Sequence, residues 1–166
     1  MKTLCLLRHA KSSWKSSALN DFDRPLNNRG KSDAPSMARR LAAYAFAPEL
    51  IVASPAKRTS KTALIFAEVL GYPEERIIYN EDIYTADLAG LVAVLRGINA
   101  GVDRVLLVGH NPFITILGEW LSGGKFVNIP TCGLVGLGLP LDSWQEIQQG
   151  DGKVLFYDYP KKIATP

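Results

Sequence analysis

The sequence predicts an α/β fold, built as a single three-layer domain with helices on both faces of a mostly parallel sheet. The length of 166 residues suits one domain over residues 1–166, because a single core usually serves about 100 to 200 residues. The composition, with 47% hydrophobic and 21% charged residues, supports a buried core. Short β-prone runs also alternate with segments of helical period along the chain, which is typical of βαβ units.

The strands are predicted from short aliphatic and β-branched runs. Four of them are expected to form parallel strands, at residues 3–7, 50–53, 76–79 and 104–108. Two more runs flank a turn-rich loop near the end of the chain, at residues 134–139 and 154–159. We expect this last pair to add antiparallel strands to the parallel sheet.

Each of the four parallel strands is followed by a predicted helix. In the first helix small apolar residues follow one face, and Pro35 is expected in its first turn. Gly71 is expected to end the second helix, Asp87 to cap the third, and Pro112 to precede the fourth.

Charge and patterning exclude several classes of partner. The net charge of +3 is too small and too dispersed to indicate nucleic acid or a membrane surface. The apolar run before Arg8 is shorter than the roughly 7 to 15 apolar residues of a signal peptide. Cys5 and Cys132 stand far apart and form no CxxC pair, which favours a reducing compartment. We therefore expect a cytoplasmic protein with no nucleic-acid or membrane partner.

Both histidines of the chain follow predicted strands. The polar segments at these strand ends are Arg8-His9-Ala10-Lys11-Ser12, Ser54-Pro55-Ala56-Lys57-Arg58 and Gly109-His110-Asn111-Pro112. Ligands bind in α/β sheets at the carboxyl ends of strands, where helix N-termini also point. A lone histidine there is more often structural, but the only two histidines at one edge favour function. Two histidines with two arginines suit a tetrahedral dianion such as phosphate.

These segments resemble the histidine phosphatase superfamily, in particular its short SixA-type phosphohistidine phosphatases. The resemblance rests on the order and spacing of four segments: Leu7-Arg8-His9-Ala10; Asp23-Arg24-Pro25-Leu26 leading to Arg29-Gly30; Ser54-Pro55-Ala56 with Arg58 and Thr62-Ala63; and Val108-Gly109-His110-Asn111-Pro112. It implies a phosphoglycerate-mutase-like fold. Ala10 stands where the family usually has glycine, and we expect this alanine to be tolerated.

The resemblance also implies roles for the strand-end residues. His9 is expected to attack phosphorus and form a covalent phosphohistidine, while Arg8, Arg58 and His110 hold the phosphate oxygens. Glu81 looks like the superfamily's general acid, with adjacent Asp82 as the alternative.

Residues around these motifs are expected to bind the substrate or line the entrance. Arg24 and Lys11 are predicted substrate-binding residues, and Trp14 is interpreted as a lid or contact residue or as a cover for the core.

The resemblance implies a phosphatase that acts on phosphohistidine of a protein without a metal or other cofactor. No histidine, cysteine and carboxylate cluster has metal-ligand spacing. Residues 10–28 and 84–87 leave little room for a lid, so an open pocket is expected to suit a protein surface. The alternatives are a small-molecule phosphomonoesterase or mutase, and a phosphate-binding module without turnover.

Overall fold

The computed structural model describes residues 1–15, 18–124, 126 and 128–162. Its strands are β1 (Lys2–Arg8), β2 (Leu50–Ala53), β3 (Ile78–Tyr79), β4 (Arg104–Gly109), β5 (Leu134–Leu139) and β6 (Lys153–Asp158). Its helices are α1 (Asn28–Ala43), α2 (Lys57–Leu70), α3 (Glu81–Thr85), α4 (Leu88–Arg96) and α5 (Phe113–Ser122). None of the helices in the described ranges is long and apolar enough to cross a membrane.

The six strands form one mixed sheet in the order β3-β2-β4-β1-β5-β6. The first four strands of this order are parallel to one another, whereas β5 is antiparallel to β1 and β6 is antiparallel to β5. The predicted α/β class and the antiparallel addition at the end of the chain are confirmed.

Alternate residues of the central strand face two different apolar clusters. Leu4 and Leu6 of β1 pack into the cluster that contains the buried faces of α4 and α5. Cys5 and Leu7 pack into the cluster formed with α1 and α2. Because neighbouring side chains of a strand point to opposite faces, this arrangement gives the expected three layers.

The start of α1 differs from the prediction. The Asn27 side chain accepts a hydrogen bond from the Gly30 amide at 2.8 Å and caps a helix that begins at Asn28. Pro35 therefore lies inside the helix and not in its first turn, so that prediction was wrong. The apolar periodicity marks only the buried part of the helix, which begins after a polar exposed turn.

The other helix ends agree with the sequence. Gly71 takes a left-handed conformation, with φ of 70°, and ends α2. The Asp87 side chain accepts from the Gly90 amide at 3.0 Å and caps α4.

The third strand and the segment after it also differ from the prediction. Residues Glu74–Arg76 form a 3-10 turn, which leaves only Ile78–Tyr79 as an exposed strand at the sheet edge. The Asn80 side chain then accepts from the Asp82 amide and starts α3, a short helix that the sequence did not predict.

The strand register brings the polar strand ends together. Arg8 at the end of β1 pairs with Gly109 of β4, and Ala53 of β2 pairs with Val108 of β4. The amides that follow continue this pattern, since His9 donates to the Gly109 carbonyl at 3.1 Å and Ser54 donates to the Val108 carbonyl at 3.1 Å. His9, Ser54 and His110 thus start from one edge of the sheet.

The N-terminus of α1 packs directly against the segment after His9. The Asn27 amide donates to the Lys11 carbonyl at 3.0 Å. A Cβ atom at Gly30 would overlap that same carbonyl oxygen and lie 3.0 Å from the Lys11 amide nitrogen. Only glycine allows this close approach of two backbones.

We predict that Gly30→Ala destabilises the fold, because the added methyl group meets backbone atoms that cannot move aside. The free energy of unfolding should fall by about 2 kcal/mol or more in urea denaturation. Gly97→Ala is the matched control, since its new Cβ would make only ordinary contacts of 3.5 and 3.6 Å, and it should change stability by less than about 1 kcal/mol. Equal stability of the two variants would contradict the close approach.

Candidate active site

A cavity of about 410 Å³ opens at the carboxyl edge of the sheet. Six of its lining residues were predicted from the sequence as site residues: Arg8, His9, Lys11, Arg24, Arg58 and His110. Five further residues complete the lining: Ser12, Trp14, Asp21, Asn111 and Thr131. The structure therefore brings both histidines and three arginines around one space.

His9 is held so that one ring nitrogen is left for chemistry. It is buried, with 7% of its surface exposed, and its Nδ1 lies 2.7 Å from the Ala10 carbonyl oxygen. A carbonyl only accepts, so Nδ1 carries the proton and Nε2 keeps its lone pair. The Ala10 amide donates to Thr62 Oγ1 at 3.0 Å, which fixes the backbone beside the ring. The Ala10 methyl is fully buried in the α1 and α2 cluster, which accommodates it.

His110 lies beside His9, with 5.3 Å between the ring centroids. Its Nε2 is 2.8 Å from Ser54 Oγ, and the same oxygen accepts from the Ala56 amide at 3.2 Å. The buried Ser54 hydroxyl has no other acceptor for its proton among the described residues, so we assign that proton to Nε2, which places the ring proton of His110 on Nδ1. Ser54 is fully buried, and its role was missed because the sequence motif gives no sign of which strand-end residue it contacts.

The two arginines that were predicted to hold phosphate oxygens are each anchored through their terminal nitrogens. Arg8 donates from Nη1 to the Ile129 carbonyl at 2.9 Å. Arg58 donates from Nη1 to the Asp21 carbonyl at 2.6 Å and from Nη2 to Asp21 Oδ2 at 2.9 Å. These anchors leave the Nε of each guanidinium without a partner.

Three buried polar side-chain atoms have no hydrogen-bond partner in the part of the chain that the structure describes: Arg8 Nε, Arg58 Nε and His110 Nδ1. We call them the three buried donors. A buried N–H without a partner costs roughly 1–3 kcal/mol. All three belong to residues that line the cavity beside His9, so the unpaired buried nitrogens of the described chain lie on the residues around one space.

Asp21 connects the arginines of the site. Besides Arg58, it accepts from Arg24 Nη1 at 2.9 Å through Oδ1 and from the Tyr84 hydroxyl at 2.7 Å through Oδ2. Burial alone raises the pKa of Asp21, but the hydrogen bonds from Tyr84, Arg58 and Arg24 outweigh it and hold this pKa well below its usual range. Asp21 therefore stays ionised and positions Arg58.

The roles of Asp21 and Tyr84 were missed in the sequence. Asp21 lies in the segment between the first predicted strand and the first predicted helix, and Tyr84 belongs to a helix that was not predicted. Tyr84 also packs edge-on against His110, with ring centroids 5.4 Å apart. Nothing in the sequence around Tyr84 indicates that its hydroxyl would contact the site.

Arg24 is engaged by its own surroundings. Its Nε donates to the Ser13 carbonyl at 3.2 Å, its Nη2 donates to the Ser12 hydroxyl, and its Nη1 holds Asp21. Its guanidinium carbon also lies 3.2 Å from the centroid of the Trp14 ring. Lys11 lies exposed at the rim of the cavity.

The two predicted acid candidates lie apart from this cavity. Glu81 is exposed in the first turn of α3 and is not among the described residues that line the cavity. Asp82 lines a separate cleft beside β2 and α4. From the same helix, Tyr84 is the side chain that reaches the site.

Both histidines are neutral at physiological pH. Burial lowers the pKa of His9 to about 3, and the charges of His110, Arg58 and Arg8 add to this against the hydrogen bond to Ala10. Burial and then Arg58 lower the pKa of His110 to about 4. Burial also lowers the pKa of Arg8.

The sequence is similar to those of known proteins. Residues 4–83 match the family model of the histidine phosphatase superfamily, branch 1. An uncharacterized chloroplastic protein of Arabidopsis thaliana, At3g52155, is 31% identical over 153 residues, which cover 87% of this chain and 70% of that protein.

Two solved structures share the fold. The putative phosphohistidine phosphatase SixA from Agrobacterium tumefaciens is 27% identical, with a TM-score of 0.79 over 96% of this chain and 98% of that one. The protein histidine phosphatase SixA in complex with tungstate is 22% identical, with a TM-score of 0.81 over 95% of this chain and 97% of that one, a likeness of fold alone. Together with the sequence match, these relationships confirm the resemblance: the chain belongs to the histidine phosphatase superfamily, branch 1, and is of the SixA type.

Proposed function

We propose that this phosphatase removes phosphate from phosphohistidine of a protein, through a covalent intermediate on its own His9 and without a metal ion. The observation that carries the proposal is the set of three buried donors, which lack partners in the described protein and belong to residues that line a cavity together with His9. An anion with three oxygens supplies the missing partners.

The proposed reaction has two steps. In the first, the lone pair of His9 Nε2 attacks phosphorus, the P–N bond of the substrate breaks, and the leaving imidazole takes the electron pair and a proton from solvent water. In the second, water attacks phosphorus, the P–Nε2 bond breaks, its electron pair returns to His9, and the proton that the water loses passes to solvent. The three buried donors stabilise the charge on the phosphate oxygens in both steps.

The leaving group decides how much help a general acid must give. An imidazole has a pKa near 6.5 and takes up a proton readily, whereas an alkoxide is a much poorer leaving group. A phosphohistidine substrate therefore suits a cavity whose one carboxylate among the described lining residues, Asp21, is held ionised by its hydrogen bonds. Glu81 remains our candidate acid for substrates with poor leaving groups, with Asp82 as the alternative.

The charges around the cavity favour an anion over a divalent cation. Arg8, Arg24, Arg58 and Lys11 supply positive charge to the lining. The Asp21 carboxylate already accepts from two arginines and a tyrosine. Catalysis by positioned donors alone fits this arrangement.

A protein substrate fits the entrance of the site. Trp14 and Lys11 are both exposed at the cavity, so an extended surface can approach the nucleophile.

The two cysteines fit a reducing compartment, because both thiols are buried and form no disulfide. We therefore propose a cytoplasmic location.

We predict that His9→Ala abolishes turnover, lowering the rate at least about a thousandfold, because the acceptor of the phosphoryl group is gone. Incubation with a labelled phosphoryl donor should give the wild type an acid-labile, base-stable protein label and the variant none. Thermal unfolding of the variant should remain cooperative. An active His9→Ala enzyme, or a label that persists in it, would refute the mechanism.

We predict that Glu81→Gln slows hydrolysis of a phosphoserine peptide more than hydrolysis of a phosphohistidine peptide. The reason is that a serine alkoxide is a much poorer leaving group than imidazole and depends more on an acid for its proton during bond breaking. Asp82→Asn is the matched control, and the ratio of kcat/KM for the two peptides is the readout. A uniform effect on both peptides, or a larger selective effect of Asp82→Asn, would count against Glu81 as the acid.

We predict that acid weakens the fold through the neutral histidines. The pKa of His9 is lowered to about 3 and that of His110 to about 4, whereas an unfolded imidazole titrates near 6.5. As the pH falls below about 6.5, the unfolded state binds more protons than the folded state, so the free energy of unfolding decreases. Each histidine contributes up to about 1.4 kcal/mol per pH unit in this window.

The measurement is urea denaturation at about pH 7, 5.5 and 4.5 for the wild type and a variant with His9→Asn and His110→Asn. The variant should lose much of the pH dependence, because asparagine does not titrate. Parallel pH profiles for the two proteins would show that these histidines have the same pKa in the folded and unfolded states, and would contradict the prediction.

A further inference from the structure

We propose that Trp14 is a platform for the planar ring of the leaving group, which in the proposed reaction is the imidazole of the substrate's phosphohistidine. This inference rests on the proposed function and names a residue that selects the substrate. It follows from the exposure of Trp14, its place in the cavity lining and the contacts that hold it.

Trp14 is unusual among the large hydrophobic side chains of the described chain. It is 78% exposed, although tryptophan is the side chain with the most apolar surface to bury. With so little of it covered, Trp14 contributes little to the core. It nevertheless lines the same cavity as His9 and Arg58. An exposed aromatic ring at that position is therefore available to a bound molecule.

Arg24 holds the indole ring in place. The guanidinium carbon lies 3.2 Å from the ring centroid, so one face of the indole stacks on a cation. Arg24 itself is fixed by donation to the Ser13 carbonyl, the Ser12 hydroxyl and Asp21. Because Arg24 covers one face and the residue is 78% exposed, we infer that the opposite face is open to a second planar group.

The loop that carries Trp14 is tied to the rest of the fold. The Ser13 amide donates to the Pro25 carbonyl at 2.8 Å, and Ser12 pairs with Leu26 in an isolated antiparallel bridge. These backbone contacts place Trp14 on an anchored segment, so ordering the ring on binding costs little conformational entropy.

A chain of direct contacts also joins the ring to the phosphate site. Trp14 stacks on Arg24, Arg24 donates to Asp21, and Asp21 accepts from Arg58, which carries one of the three buried donors. The Asp21 carboxylate thus fixes the position of the Trp14 ring relative to the buried donor of Arg58. A substrate ring held on Trp14 would keep its P–N bond in a constant position with respect to the bound oxygens.

The chemistry of the leaving group decides what the platform recognises. Imidazole and phenol rings have planar faces that stack on indole, whereas the side chain of serine has none. Trp14 should therefore favour phosphohistidine and aryl phosphates over alkyl phosphates, independently of how the phosphate is held.

The test is kcat/KM of the wild type, Trp14→Ala and Trp14→Phe with three substrates: a phosphohistidine peptide, phenyl phosphate and a phosphoserine peptide. We expect Trp14→Ala to lower kcat/KM roughly 5- to 20-fold for the first two substrates, and less than about 2-fold for the third. Trp14→Phe should restore activity to within about 3-fold of the wild type, since a planar face remains. Tyr79→Ala removes another exposed aromatic that does not line the cavity, and it should change none of the three values.

Each outcome decides the proposal. Equal losses with all three substrates, or no loss with any, would overturn the platform. If the wild type does not hydrolyse the phosphohistidine peptide, the proposed function and the assignment of imidazole fail. The comparison of phenyl phosphate with the phosphoserine peptide would then still show whether Trp14 recognises a planar leaving group.

Discussion

Three buried N–H groups without a partner among the described residues are the constraint on which this site depends. Each unpaired N–H costs the folded protein roughly 1–3 kcal/mol, and all three belong to residues that line one cavity. Other nitrogens of the same side chains are bonded: Arg8 Nη1 to the Ile129 carbonyl, both terminal nitrogens of Arg58 to Asp21, and His110 Nε2 to Ser54. These bonds hold the three side chains in place, as a preorganised anion site requires.

Asp21 partly offsets the positive charge of the cavity lining. Four cationic side chains line the cavity, and a single carboxylate among the described lining residues keeps two of the arginines in place. With both histidines neutral, the lining retains a positive field that attracts a phosphate dianion. Burial is the largest cause of the lowered pKa of His9, the proposed nucleophile, so a change that admits water to the ring would raise this pKa. One cavity thus keeps His9 neutral and surrounds it with positive charge.

Much of the architecture could be predicted from local sequence. Parallel strands with polar residues at their carboxyl ends give a sheet edge with a site, and Arg8, His9, Arg58 and His110 follow from that rule together with the resemblance. Asp21 could not be found in this way, because it comes from a loop and meets Arg58 only through the tertiary fold.

The short helix α3 carries a side chain of the site that local sequence does not identify. In α3, neighbouring residues point in directions that differ by about 100°, so a motif of adjacent acidic residues does not tell which side chain faces the sheet. In the structure the Tyr84 hydroxyl donates a hydrogen bond to Asp21, whereas Glu81 is exposed. The predicted start of α1 was wrong for a similar reason, because the cap at Asn27 lies well before the apolar face that periodicity detects.

A crystal structure of the protein with orthovanadate would show whether the three buried donors and His9 bind one anion. We expect vanadium bonded to His9 Nε2, with vanadate oxygens within hydrogen-bond distance of all three buried donors. Vanadate bound without contact to these donors, or bonded to another residue, would refute the proposed site.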